Sequence, residues 1–103
     1  MIKEKTKITF THIETVGHGY LKVSLYDRIG FGFDMEKDFT NFSFIDLDTH
    51  NVYLEQDCDL TKFLKVMSDK DYDVNIINNY KPTFEPREQS SFYYLDEVDF
   101  PRR

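Results

Sequence analysis

With 103 residues, 40% of them apolar, and a net charge of -6, the chain is sized for one hydrophobic core and is short for two domains. Ten Phe and seven Tyr offset the modest apolar fraction with large side chains, which argues against wholesale disorder. No apolar run approaches the roughly 18 residues of a membrane-spanning helix, and Met1-Ile2-Lys3-Glu4-Lys5 lacks the apolar stretch of a signal peptide. A cytoplasmic protein with no membrane partner is expected.

Lys7 to Ile13 is β-prone and alternates, with Ile8, Phe10 and His12 on one face and Thr9, Thr11 and Ile13 on the other. Gly17-His18-Gly19 then interrupts, and Tyr20 to Leu25 alternates again, so a hairpin is expected whose tip uses glycine for positive φ. The second glycine pair, Gly30-Phe31-Gly32, reads as a turn or bulge, because neither pair has phosphate-loop spacing. Residues 33 to 41 read as loop. Phe42 to Asp46 and Val52 to Glu55 flank Leu47-Asp48-Thr49-His50-Asn51, whose short polar side chains favour a turn, giving a second hairpin. Asp59 is placed to cap a helix from about Leu60 to Ser68, in which Leu60, Phe63, Leu64 and Met67 recur at helical spacing. Tyr72 to Ile77 alternates as a further strand.

From Asn78 the pattern weakens, and Pro82 and Pro86 bracket Phe84. The aromatic run Phe92-Tyr93-Tyr94 beyond them reads either as a final strand or as a linear binding segment. The expected organisation is an α+β domain over residues 1–77 and a C-terminal extension over 78–103. The domain is expected to be an antiparallel sheet of four or five strands with one helix packed on a face, in the order ββββαβ.

Chemical constellations are sparse. His12, His18, His50 and Cys58 form no HxH, HExxH or CxxC pair, so no metal and no cofactor is expected. His18 reads as a polar turn residue rather than a proton donor, and Cys58 as a buried structural thiol. Asp57 and Asp59 beside that thiol oppose thiolate formation. A calcium loop beginning at Asp46 fails, since Asn51 stands where glycine is needed and Asp57 where glutamate is needed. Two carboxylates suffice for glycosidase chemistry, but so short a chain leaves little room for a cleft. No catalytic residue is assigned.

Charge is more informative. Residues 1–33 carry five basic and three acidic side chains, residues 34–73 four and eleven, and residues 74–103 four and five. The acidic middle repels phosphate backbones and attracts basic surfaces, so direct nucleic-acid binding is disfavoured and a protein partner with a basic surface is expected. The candidate contact residues are Asp46, Asp48, Glu55, Asp57, Asp59, Asp69, Asp71 and Asp73, with Tyr53, Tyr93 and Tyr94 offering rigid aromatic area.

Two stretches, His18-Gly19-Tyr20-Leu21-Lys22-Val23 and Tyr53-Leu54-Glu55-Gln56-Asp57-Cys58-Asp59, resemble a family of small phage and mobile-element proteins with HG(Y/W)LxV and YLE(E/Q)DCD motifs. The second motif is the more specific. The likeness spans residues 10 to 70, departs over 26 to 41, and has no counterpart in the last thirty residues. It implies no established activity, only a setting. Small acidic proteins of such elements are often inhibitors of host defence, including CRISPR effectors, and the acidic residues above then mimic phosphate charge. The alternatives are a regulatory adaptor of the mobile element and, third, a small enzyme using His18 or Cys58.

Overall fold

The computed structural model describes residues 5–24, 38–40 and 42–98. Over these, the chain is an α+β fold: one mixed sheet with helical structure packed on it. The strands are β1 (Thr6–Glu14), β2 (Gly19–Ser24), β3 (Phe44–Asp46), β4 (Asn51–Glu55), β5 (Tyr72–Tyr80) and β6 (Phe92–Tyr94). Helix α1 (Thr61–Asp69) runs on directly from a π-helical turn, Gln56–Leu60. In space the strands lie β5-β1-β2-β4-β3-β6.

The sheet departs from the expected antiparallel arrangement in one place, because β5 runs parallel to β1, with Thr6 beside Tyr72 and Glu14 beside Tyr80. A parallel neighbour requires a crossover that returns the chain to the same end of the sheet, and the helical segment provides it. The sheet also has one strand more than expected. The boundary placed at residue 77 falls inside β5, which continues to Tyr80. Of the two readings of the C-terminal aromatics, the strand is realised: β6 pairs antiparallel with β3, Ile45 opposite Tyr93.

Alternation along the strands sends apolar side chains to both faces, so the central strands are covered on both sides. On the helix side, Phe10, Leu21, Val23, Ile45, Val52 and Leu54 bury against Phe63 and Met67 of α1 and against Leu95. Phe10 and Phe63 meet edge to face at 5.3 Å. The stripe Leu60, Phe63, Leu64 and Met67 points inward as its spacing predicts. On the opposite side Ile13, Tyr20, Phe44 and Tyr53 form an aromatic cluster, closed over by Phe84, Phe92 and Tyr94. Tyr53 stacks at 5.1 Å on Phe92 and 5.4 Å on Phe84, and Phe44 lies 4.4 Å from Tyr94. The segment after β5 is therefore the lid of a second core.

Both expected hairpins are present. The β1–β2 connection closes with Thr15 N–H on His18 O at 2.8 Å, and the Thr15 hydroxyl exchanges hydrogen bonds with the His18 backbone. Its glycines serve a different purpose from the one expected, since neither Gly17 nor Gly19 has a positive φ. A Cβ on Gly19 would lie 2.0 Å from Gln56 Oε1 and 2.7 Å from His12 Cε1, so any side chain there must push Gln56 and His12 aside. Positive φ falls instead on His50, in the β3–β4 turn, and on Asp71, just after α1. Gly30, Gly32 and the loop expected over 33–41 lie outside the described residues except for positions 38–40.

Candidate functional site

The acidic residues proposed for contact separate into two groups of opposite character. Asp46, Glu55 and Asp59 are buried, and their carboxylates are engaged internally, which removes them from any contact surface. Asp46 accepts from Asp48 N–H at 3.0 Å and Thr49 Oγ1 at 2.9 Å, so it ties the β3–β4 turn. Burial alone would raise its pKa, but hydrogen bonds from Ser91, Thr49 and the Asp48 and Thr49 backbone outweigh it and hold the carboxyl below the ordinary value. Glu55 accepts from Asp57 N–H and Cys58 N–H and thereby caps the π-helical turn.

The cap expected at Asp59 is accordingly supplied by Glu55. Asp59, 1% exposed, accepts from Thr40 N–H and the Thr40 hydroxyl, each at 2.9 Å, and from the Ser43 hydroxyl. Ser43 in turn accepts from Glu55 N–H at 3.0 Å. This relay fastens Thr40 and Ser43 to the end of β4 and to the helical segment. A buried carboxylate with three donors is a fastening element rather than a surface charge.

Asp48, Asp57, Asp69, Asp71 and Asp73 are exposed. The strand registers place four of them at one end of the sheet: Asp48 lies in the turn beyond Asp46 and Asn51, while Asp69 ends α1 and Asp71 and Asp73 lead into β5. Asp57, on the π-helical turn, lies at the other end, next to Glu55 and Tyr20. Of the tyrosines, Tyr53 is buried in the aromatic cluster and its hydroxyl pKa is raised by desolvation, with the Asp46 charge adding to it. Tyr94 is half-buried against Phe44. Tyr93, on the other face of β6, is exposed.

Cys58 is exposed, not buried as expected. Its thiol pKa is raised, first by a hydrogen bond to Glu55 and further by desolvation and by the charges of Glu55, Asp59 and Asp57. The flanking acids act in the expected direction, but the larger influence is Glu55, three residues away, brought close by the helical turn. A thiol so placed is held in its protonated, weakly nucleophilic form. His18 is exposed at the hairpin, its ring 6.4 Å from that of Tyr20.

His12, weighed above only as a strand residue and a metal candidate, instead ties three elements together. Its Nδ1 lies 2.8 Å from Asn78 Oδ1 and its Nε2 3.0 Å from Gln56 Oε1, joining β1, β5 and the π-helical turn. The only sequence signal was its position on the face that also carries Ile8 and Phe10. Among the described residues no group of three His, Cys, Asp or Glu side chains converges to hold a metal ion, and no helix is long and apolar enough to cross a membrane. A depression on the polar part of the second face, lined by Thr9, Thr11, Lys22, Ser24 and Asn51, has a volume of about 230 Å³, below the range of small-molecule sites.

No family model matches the chain, and no curated protein or solved structure matches it. The resemblance to mobile-element proteins therefore rests on its two motifs alone. Much of the second motif is accounted for by folding: Tyr53 and Leu54 are core, Glu55 caps and Asp59 fastens.

Proposed function

We propose that the protein acts by binding, and that it occupies a basic surface of another macromolecule through Asp48, Asp69, Asp71 and Asp73. The observation that carries this reading is the exposure of these four carboxylates at one end of the sheet, in contrast to Asp46, Glu55 and Asp59. Exposed lysines share this end, Lys7 beside Asp73 in the register and Lys70 between Asp69 and Asp71, so the contact carries both signs, with the carboxylates directed at a cationic partner. Tyr93 is exposed on edge strand β6, at the opposite edge of the sheet from β5.

Within that reading, the partner class is a nucleic-acid-binding host-defence complex, such as a CRISPR nuclease, which the protein inhibits in the host cytoplasm by competing for its basic channel. Support for this setting comes from the motif resemblance and from the acidic surface. In a cleavage assay with a purified CRISPR nuclease complex, stoichiometric protein is expected to suppress target cutting. The Asp48→Asn/Asp69→Asn/Asp71→Asn/Asp73→Asn variant is expected to lose most of that effect. Undiminished cutting in the presence of excess wild-type protein would count against the inhibitor and favour a regulatory adaptor.

A further inference from the structure

The two edges of the sheet differ in how they are protected. Edge strand β6 has three residues, a length too short to template pairing. Edge strand β5 has nine, with the sequence Tyr-Asp-Val-Asn-Ile-Ile-Asn-Asn-Tyr. It contains no proline, no glycine and no lysine, and its single charge is Asp73. Three large apolar side chains stand out from it: Ile76 is 39% exposed, Ile77 55% and Tyr80 58%. Such an edge lacks the usual devices against strand addition.

Hydrogen-bond parity fixes which groups the edge offers. Lys81 N–H donates to Glu14 O at 2.8 Å, and Asp71 O accepts from Thr6 N–H at 3.1 Å, so odd-numbered residues of β5 turn their backbone groups toward β1. Even-numbered residues, Val74, Ile76, Asn78 and Tyr80, consequently turn theirs outward, and among the described residues no strand pairs with that side.

We propose that a second copy of this chain pairs antiparallel with the β5 edge about a two-fold axis through Ile77. In that register Val74 faces Tyr80 and Ile76 faces Asn78 of the second copy, and both are the outward, hydrogen-bonding pairs. The intervening pairs, whose side chains approach most closely, are Asp73 with Lys81, Asn75 with Asn79, and Ile77 with Ile77. The strand is thus complementary to itself in charge, with an acid near its start and a base just past its end. A two-fold axis makes every such contact twice. The exposed isoleucines and Tyr80 become buried, and the sheet continues across both copies. Such pairing engages Asp73, which the proposed acidic contact also uses, and leaves Asp48, Asp69 and Asp71 available.

Sedimentation equilibrium of the full chain across a concentration series tests it, with circular dichroism confirming that each variant is folded. The wild type is expected to reach twice the chain mass reversibly. Ile77→Lys, which sets two ammonium groups against each other on the axis, is expected to leave only monomer. Asp73→Lys and Lys81→Asp are each expected to weaken self-association by about tenfold, since each creates two like-charge pairs. The double reversal Asp73→Lys/Lys81→Asp restores it. A wild type that stays monomeric overturns the proposal, as does a dimer indifferent to Ile77→Lys, or one in which the double reversal gives no recovery.

Discussion

Asp59 shows how a single buried carboxylate can organise a segment that carries little regular structure. Its oxygens take up the Thr40 N–H, the Thr40 hydroxyl and the Ser43 hydroxyl, and the residue is almost fully buried. Replacing it with alanine strands these donors in a dry environment, so Asp59→Ala is expected to cost about 2–4 kcal/mol in chemical denaturation. Ser43→Ala, which removes one acceptor and one donor, is expected to cost about half as much. Equal loss in the two variants would mean that Ser43, rather than the carboxylate, is the hub. Asp46 makes a pH-dependent contribution of defined sign. Its folded pKa lies below the ordinary value of 3.8, so the folded state favours the carboxylate, and that stability is fully present above the ordinary value. It is lost as pH falls through the depressed folded pKa. The stability gap between wild type and Asp46→Asn is therefore expected to be flat from neutral pH to about 5 and to close below about 4. A gap that persists unchanged at pH 2 would contradict the assignment.

At the scale of elements, the packing of the β1–β2 hairpin against the π-helical turn depends on Gly19. Any side chain there displaces Gln56 from His12, so Gly19→Ala is expected to lower stability by about 1 kcal/mol, with part recovered in Gly19→Ala/Gln56→Ala. Independent, additive effects measured by thermal unfolding would refute this coupling. The strands and α1 were legible because alternation and helical spacing are local properties: Ile8 and Phe10, Leu21 and Val23, and Phe63 and Met67 all face as their spacing requires. What was not legible depends on distant partners. The parallel pairing of β5 is set by the crossover, not by its own residues. Glycine at position 19 answers to Gln56, which is remote in sequence. Asp46 and Asp59 look like surface charges until Thr49, Thr40 and Ser43 are brought to them. The exposure of Cys58 likewise follows from a π-helical turn that periodicity does not announce.

At the scale of the whole molecule, the central strands of the described sheet are covered on both faces, by α1 on one side and by aromatics from Phe84 to Tyr94 on the other, while β5 stays largely exposed. This division explains why so many aromatic residues coexist with a modest apolar fraction: Tyr20, Phe44, Tyr53, Phe84, Phe92 and Tyr94 build the second core. It also leaves Asp48, Asp69, Asp71 and Asp73 exposed at one end of the sheet, which is the premise of the binding reading. Salt discriminates such contacts, because exposed charges more than about 10 Å apart are screened at 0.1 M ionic strength. The most direct measurement is the affinity of the protein for a purified CRISPR nuclease complex as salt is raised, for the wild type and for Asp48→Asn/Asp69→Asn/Asp71→Asn. Wild-type affinity is expected to fall steeply with salt and, at low salt, to exceed that of the variant by at least about tenfold, the variant showing a flattened salt slope. Affinity that ignores both salt and the three substitutions would contradict the binding reading.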